Sequence, residues 1–246
     1  MSDNSASRET SWSDVWAQRP IEIPGSALSL EELIRLDGFD VGAGAMAVES
    51  WRGYASSIAA RLGLGREDSV FEIGCGAGAL LLAMQEEVGV RVGGIDFSSA
   101  LIEVSQRALP SGRFFVADAT APPSPEIEAA VATSRAVVSN SVVHYFPALE
   151  DVSRMVGWLA GLVPQIALLE VPDGATMSAS EAERAAALPP GEYARRYEES
   201  GLRHLYIHRD EMQDIARAHG LTVEMVQQDI HGYRQSRFRF NAFFRH

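Results

Sequence analysis

The sequence predicts an α/β protein built on a doubly wound, mostly parallel sheet of seven strands with an antiparallel last strand. Between about residues 70 and 171, short apolar runs alternate with amphipathic stretches. Such alternation is typical of a parallel sheet covered by helices on both faces. A glycine-rich turn follows the first apolar run. Near the carboxyl terminus, a short connection joins two further apolar runs, which indicates an antiparallel hairpin.

The first 66 residues are predicted to form two segments that precede the sheet. Residues 1–28 are polar and rich in serine, which predicts a flexible arm, or a lid that orders on binding. Residues 29–66 are predicted to form a helical lid. Ser29 and Glu32 have the spacing of a capping box at a helix start, and apolar residues recur at helical spacing over 47–62.

Residues 67–246 are predicted to contain the sheet, with an insertion at about 172–208. The insertion breaks the alternation of strands and helices, and one of this size is more often functional than idle. The proline-containing stretch after the third strand is predicted to be a loop. The predicted strands are 70–73, 90–96, 114–118, 136–139, 166–171, 221–227 and 237–244, and the predicted helices of this part are 77–88, 98–109, 149–162 and 210–219.

The last predicted strand alternates charged and aromatic residues. Arg237 and Arg239 are interleaved with Phe238 and Phe240. This period-two pattern predicts a half-buried strand at the edge of the sheet, with its arginines in solvent. The alternative is that these arginines attract an anionic ligand.

The composition excludes several classes of function. The net charge is −12, so a nucleic acid would be repelled on average. All 21 basic residues are arginine, which excludes a pyridoxal-phosphate Schiff base and a Walker-A loop, because both need lysine. Cys75 is the single cysteine, so no intrachain disulfide forms and a cytoplasmic location is expected. No apolar run reaches the roughly 20 residues of a membrane span. We therefore expect no nucleic-acid or membrane partner, and a monomer or homodimer.

The most informative motif is the turn that follows the first predicted strand. Glu72 lies within that strand, which runs into Gly74, Gly76 and Gly78. Glycines at such a turn let the backbone approach a ligand beside the free N–H groups of a helix N-terminus. For Glu72, the alternative to a ligand-facing carboxylate is an edge residue that faces water.

Two further acids close the next two predicted strands. Asp96 ends the second strand, where a carboxylate can bind ribose hydroxyls. Asp118 ends the third strand, where a carboxylate can accept a proton from an adenine amino group. Together with the glycine turn, these acids predict a nucleoside-containing ligand.

This combination resembles the class I S-adenosylmethionine-dependent methyltransferases of bacterial small-molecule type, whose sheet is Rossmann-like. The resemblance covers about 51–244 and includes the segment 139–146 after the fourth strand. It implies S-adenosylmethionine as cofactor, S-adenosylhomocysteine as product, and transfer of a methyl group to an O or N atom of a small-molecule acceptor. The cofactor residues that it implies are Glu72, Gly74, Cys75, Gly76, Asp96, Phe97, Asp118, Ala119 and Asn140.

Within that set, the resemblance assigns each part of the cofactor to a different strand end. Gly74 and the chain near Asn140 would hold the methionine moiety, and Asp96 would bind the ribose. The adenine would meet the Asp118 carboxylate and the Ala119 amide. Phe97 would pack on the adenine or ribose.

Two residues are candidates for the proton acceptor that an O or N acceptor requires. His144 follows the fourth strand, on the side where this fold places its ligand, and its alternative is a structural histidine packed behind the site. Glu170 ends the fifth strand and would serve as base or bind the acceptor. No tight carboxylate cluster is evident, so no metal is expected.

The acceptor pocket is predicted to draw on aromatic residues after the fourth strand and in the insertion, which supply shape and hydrogen bonds. The alternative is that the tyrosines are packed core aromatics. The candidate acceptor-binding residues are Tyr145, Tyr193, Tyr197, His204 and Tyr206.

Three other functions fit parts of the pattern. An NAD(P)-dependent oxidoreductase shares the glycine turn and the second-strand acid, but Glu72, Asp118 and the lack of lysine disfavour it. A non-catalytic S-adenosylmethionine-binding protein would share the whole motif set. A nucleic-acid methyltransferase is disfavoured by the acidic charge and by the segment after the fourth strand.

Overall fold

The computed structural model describes residues 12–17, 21, 28–39, 46–199 and 201–246. The strands are β1 (Ser69–Ile73), β2 (Arg91–Asp96), β3 (Arg113–Val116), β4 (Ala136–Asn140), β5 (Gln165–Pro172), β6 (Thr222–Gln227) and β7 (Arg239–Arg245). The helices are α1 (Trp12–Ala17), α2 (Leu30–Leu36), α3 (Val48–Arg61), α4 (Ala79–Val88), α5 (Ser99–Ala108), α6 (Pro125–Ala132), α7 (Leu149–Ala160), α8 (Met177–Ala186) and α9 (Arg209–Ala218). None of the described helices is long and apolar enough to cross a membrane.

The predicted fold class is confirmed. The seven strands form one sheet in the order β3-β2-β1-β4-β5-β7-β6. Strands β1 to β5 pair in parallel, and β7 pairs antiparallel with both β5 and β6. The strand order reverses direction between β1 and β4, which is where a doubly wound sheet opens a crevice at the carboxyl ends of its strands.

Two buried apolar layers cover the two faces of the sheet. One layer contains Leu33, Trp51 and Leu80, so the N-terminal helices α2 and α3 pack together with α4 and α5. The other layer contains side chains of α6, α7 and α9. Burial on both faces explains why the central strands are apolar throughout rather than alternating.

The N-terminal segments agree in part with the sequence expectations. Ser29 and Glu32 form the predicted capping box at the start of α2. The Trp51 indole N–H donates to the Ala79 carbonyl at 3.1 Å, which fixes α3 against α4. Within the predicted arm, the structure describes residues 12–17, 21 and 28, and Trp12–Ala17 is helical. The rest of the predicted arm, residues 1–11, 18–20 and 22–27, lies outside the described residues.

Two local predictions were wrong. Helix α6 lies within the stretch predicted as a loop, because Ser124 caps it and Pro125 stands at its first turn, where proline is tolerated. Strand β7 does not lie at the sheet edge, because β6 covers its outer side. Arg239 is consequently buried, with 2% of its surface exposed, rather than solvated.

Candidate active site

A cavity of about 560 Å³ lies at the carboxyl ends of β1 to β4, where the strand order reverses. All of the residues predicted to hold the cofactor line it, from Glu72 at the end of β1 to Asn140 at the end of β4. The α1 side chains Trp12 and Trp16 and the insertion residue Leu202 also line this cavity. We call it the cofactor cavity.

The glycine turn is fixed to β2 by hydrogen bonds. The Asp96 carboxylate accepts from the Gly76 N–H at 3.0 Å and from the Ser98 N–H at 2.9 Å. Gly74 and Gly76 have left-handed φ angles of 74° and 53°, which favour glycine. The burial of Asp96 raises its pKa, against the two backbone hydrogen bonds that stabilise its charged form.

A residue that the sequence analysis missed completes this turn. Asp37, which follows α2, accepts from the Ala77 N–H at 2.6 Å and from the Ala79 N–H at 3.1 Å. Its carboxylate therefore caps the N-terminus of α4, where the cap residue Gly78 has no side chain to do so. No sequence signal reveals this contact, because Asp37 lies about 40 residues before the helix that it caps.

Glu72 is a buried acid in the floor of the cofactor cavity. Its Oε2 has no hydrogen-bond partner among the described residues. Burial raises the pKa of Glu72 well above its usual value, and the nearby charges of Asp37 and Asp96 raise it further. Among the described residues that line this cavity there are, with Asp118, four carboxylates and one guanidinium, that of the exposed Arg203. A positively charged ligand would relieve this repulsion.

The remaining cofactor candidates lie at the rim and the back of the cavity. Asp118 is exposed two residues beyond β3, and it accepts from the Thr120 N–H at 2.8 Å. Phe97 is 37% exposed, which is unusual for a large apolar side chain and leaves its ring open to a ligand. Asn140 is buried and accepts from the Tyr54 hydroxyl at 3.1 Å.

A second, smaller cavity of about 230 Å³ adjoins the first. Both cavities are lined by Trp16, Asp37, Phe39, Ser141 and Tyr145, so they share a wall. We call the second one the acceptor cavity. It contains both residues that the sequence analysis proposed as proton acceptors, His144 and Glu170.

Glu170 forms a buried network with the start of β7. Its Oε1 accepts from the Tyr233 hydroxyl at 2.6 Å and from Arg239 Nε at 3.1 Å. Its Oε2 is buried and, within the described part of the chain, has no partner. β7 runs antiparallel to β5, so its first residue, Arg239, lies opposite Pro172 at the carboxyl end of β5.

His144 is buried between aromatic and cationic neighbours. Its ring lies 4.0 Å from the Tyr145 ring and 5.1 Å from the His204 ring, centre to centre. Burial lowers the pKa of His144 well below its usual range, and the positive charges of Arg239 and Arg184 lower it further. His144 is therefore neutral at physiological pH.

The structure brings some of the predicted acceptor residues together and not others. Tyr145 lines both cavities, and Tyr197 lines the acceptor cavity. His204 stacks on the Trp12 ring at 4.5 Å beside them, although it lines neither cavity.

Two predicted acceptor residues lie away from both cavities. Tyr193 packs on the Tyr197 ring at 5.0 Å. The Tyr206 hydroxyl donates to Ser180 Oγ at 3.2 Å. Neither side chain lines a cavity, and both are half-buried rather than part of the core. In the part of the chain that the structure describes, no group of three or more His, Cys, Asp or Glu side chains could hold a metal ion.

The fold and the acidic glycine turn agree with the resemblance to the class I methyltransferases that the sequence shows. Residues 70–159 match the model of the protein family described as "Methyltransferase domain". The resemblance seen in the sequence is therefore confirmed, and this segment is a methyltransferase domain. No curated protein matches the chain.

Solved structures of low sequence identity share the fold. Magnesium protoporphyrin IX methyltransferase from Synechocystis PCC 6803, with bound SAH, is 18% identical with a TM-score of 0.55, over 80% of this chain and 82% of that one. An SAM-bound amino pentose methyltransferase from Micromonospora echinaspora, involved in calicheamicin biosynthesis, is 13% identical with a TM-score of 0.58, over 91% and 99%. DesVI from Streptomyces venezuelae is 15% identical with a TM-score of 0.56, over 89% and 99%.

Proposed function

We propose that the protein transfers a methyl group from S-adenosylmethionine to an O or N atom of a small molecule. One observation carries this proposal: an acidic cavity on the glycine turn shares a wall with a small cavity that contains a buried carboxylate. The acidic cofactor cavity suits a cationic nucleoside, and the buried carboxylate of the acceptor cavity suits a methyl acceptor that must lose a proton. The structurally similar proteins that are named with bound SAM or SAH support the choice of cofactor.

The cofactor cavity fits S-adenosylmethionine by charge. This molecule supplies an activated methyl group on a sulfonium centre, and it also carries an ammonium group. Glu72 offers a buried oxygen without a partner among the described residues, and its raised pKa falls when a cation binds nearby. Asp96 would bind the ribose, and Asp118 with Phe97 would bind the adenine from the exposed rim.

The same geometry disfavours a nicotinamide dinucleotide. In dinucleotide-binding proteins, the pyrophosphate binds the free N–H groups at the N-terminus of the helix after the glycine turn. Here the Asp37 carboxylate already accepts from the Ala77 and Ala79 N–H groups of that turn. A pyrophosphate at this position would meet a negative charge in place of open donors.

Glu170 is the better candidate for the proton acceptor. Tyr233 and Arg239 hold its Oε1, so its Oε2 remains to take a proton from an acceptor hydroxyl or ammonium group. His144 is a weak base here, because burial and its cationic neighbours lower its pKa. His144 instead helps to shape the wall of the acceptor cavity.

The rest of the site excludes water and aligns the reactants, which is the main requirement of a displacement at an activated methyl group. Trp12 and Trp16 cover the cofactor cavity from α1. The Trp12 indole N–H donates to the Arg203 carbonyl at 2.9 Å, so α1 is tied to the insertion. The cytoplasmic location, the monomeric or homodimeric state and the absence of nucleic-acid and membrane partners stay predictions.

The first test is calorimetric titration with S-adenosylmethionine, S-adenosylhomocysteine and NADH in parallel. We expect both sulfur nucleotides to bind and the Asp96→Ala variant to bind them at least roughly tenfold more weakly. Asp214→Ala is the matched control, because Asp214 is an exposed acid that pairs with Arg217 on α9. Binding of NADH alone would refute the choice of cofactor.

The second test separates the two candidate bases once an acceptor is found. We expect Glu170→Gln to lower the turnover number roughly 100-fold or more, which is the usual contribution of a general base. His144→Asn should lower it less. The reverse order would assign the proton to His144, and S-adenosylmethionine binding without turnover of any acceptor would favour the non-catalytic alternative.

A further inference from the structure

Three guanidiniums and three carboxylates line the acceptor cavity, and one of the guanidiniums, that of Arg184, forms no ion pair with an acid of the described residues. Arg239 pairs with Glu170 at 3.1 Å. Glu183 lies 3.7 Å from Arg234 and also pairs with Arg237. Arg184 lines the same cavity, and no acid of the described residues forms an ion pair with it.

Arg184 is nevertheless held in place. Its Nη1 donates to His204 Nδ1 at 2.5 Å. A guanidinium has no acceptor, so His204 Nδ1 must accept and the ring is neutral. Burial and the charges of Arg184 and Arg239 lower the pKa of His204 to about 2, consistent with that neutral state. The remaining donors of Arg184 are available to a ligand, because an arginine has five N–H groups.

A second guanidinium donor faces the same cavity. Arg239 is 2% exposed, and its Nη1 has no hydrogen-bond partner among the residues that the structure describes. A buried donor without a partner is costly, and it is satisfied when a ligand supplies an acceptor. Arg184 and Arg239 both line the acceptor cavity, so one ligand inside it can meet both guanidinium groups.

We propose that the methyl acceptor is a small carboxylic acid, whose carboxylate binds Arg184 and Arg239 Nη1. This inference rests on the proposed function, because it names the substrate class of the same site. A ligand carboxylate supplies the anionic partner that Arg184 lacks among the described acids, and its two oxygens suit the planar donors of arginine. Arg184 is then a residue that determines specificity.

The free Oε2 of Glu170 narrows the substrate class further. A buried carboxylate oxygen accepts hydrogen bonds, so the acceptor also carries a hydroxyl or amino group, which is the group to be methylated. The proton of that group goes to Glu170 Oε2 as the O–CH₃ or N–CH₃ bond forms and the S–CH₃ bond breaks. The cavity volume of about 230 Å³ restricts the part that enters it to a small hydroxy or amino acid.

The test is calorimetric titration of the protein saturated with S-adenosylhomocysteine. The probes are aliphatic and aromatic hydroxy- and amino-carboxylic acids, each paired with its neutral carboxamide. We expect at least one acid to bind roughly tenfold or more tightly than its carboxamide, as for a hydrogen bond to a charged group.

Variants then locate the contact. Arg184→Gln should lose that preference for the acid, and Arg184→Lys, which keeps the charge without the planar fork, should retain part of it. Arg195→Gln is the matched control and should bind like the wild type, because Arg195 is exposed and pairs with Glu192 in the same insertion. Binding of S-adenosylhomocysteine should be the same in all three variants, which also verifies that they fold.

Three results would overturn the inference: no acid binds, the carboxamides bind as well as the acids, or Arg184→Gln keeps the preference. In each case, intact binding of S-adenosylhomocysteine shows that the cofactor site is as proposed and that the error lies in the substrate class. Failure of S-adenosylhomocysteine to bind would instead refute the proposed function.

Discussion

Replacing Asp37 by asparagine tests whether a carboxylate from outside the motif holds the glycine turn. Asp37 accepts from the Ala77 N–H at 2.6 Å and from the Ala79 N–H at 3.1 Å, one on each oxygen. Asparagine keeps one acceptor and presents an NH₂ group to the other N–H. The variant therefore loses one hydrogen bond and the negative charge at the N-terminus of α4.

The magnitude follows from three effects. A lost hydrogen bond to a charged group costs about 1.5–3 kcal/mol, and the lost interaction with the helix dipole costs about 0.3–1 kcal/mol. Part of this cost is offset, because Asp37 also repels Glu72 and raises its pKa. We therefore expect a net loss of about 1.5 kcal/mol in the free energy of unfolding, which lowers the melting temperature by about 3–6 °C in a chain of this length.

Thermal unfolding followed by calorimetry measures this loss, and hydrogen exchange of the first α4 amides locates it. Asp118→Asn is the control, because Asp118 lines the same cavity but accepts only within its own turn, from Thr120. It should shift the melting temperature much less. An Asp37→Asn variant that melts with the wild type, with unchanged exchange in α4, would refute the assignment of Asp37 as the helix cap.

Three further predictions concern the buried acid, the acceptor network and the aromatic cover. Glu72→Gln should melt like the wild type at pH 4 and at a higher temperature than the wild type at pH 8. The folded-state pKa of Glu72 is raised, so the wild type loses stability once the pH rises above the unfolded-state value. Equal melting temperatures at pH 8 would contradict this. Tyr233→Phe removes the hydrogen bond to Glu170, so it should lower the free energy of unfolding by about 1–2 kcal/mol and leave the affinity for S-adenosylhomocysteine unchanged. A large loss of that affinity would show that the two cavities are not independent. Trp12→Ala should weaken S-adenosylhomocysteine binding several-fold, whereas Val15→Ala, an exposed change on the same helix, should not.

The parts of the site that could be predicted from the sequence are those encoded within a few residues. Glu72, the glycine turn and Asp96 each lie at a strand end that the local sequence indicates. Their positions at one edge of the parallel sheet could therefore be predicted. Asp37 could not be found in this way, because its role depends on how α2 packs against α4. That packing is a tertiary property, and nothing in the residues around Asp37 indicates it.

The acceptor side was harder to predict for a related reason. The insertion has no regular alternation of strands and helices, so its sequence does not indicate which of its aromatic residues line the acceptor cavity. The structure brings Tyr197 to the acceptor cavity and leaves Tyr193 behind it. The prediction that Arg239 is exposed was wrong because an edge strand and an inner strand can have the same alternating sequence. Only the pairing of β7 with β6 shows that β7 is an inner strand.

The location of backbone strain gives an independent reason to place the chemistry in the acceptor cavity. Among the described residues, three that are not glycine have left-handed φ angles, and each costs about 1–3 kcal/mol. Glu67 lies in the turn before β1, whereas Glu170 and Ser141, both with φ angles of 60°, line the acceptor cavity. They lie at the carboxyl ends of the neighbouring strands β5 and β4, joined by a hydrogen bond from the Ser141 N–H to the Leu169 carbonyl. Beside them is a buried ion pair, which often stabilises a fold no better than apolar residues of the same volume would. Backbone strain and a buried ion pair therefore meet at one carboxylate, which favours the catalytic role that we propose for Glu170.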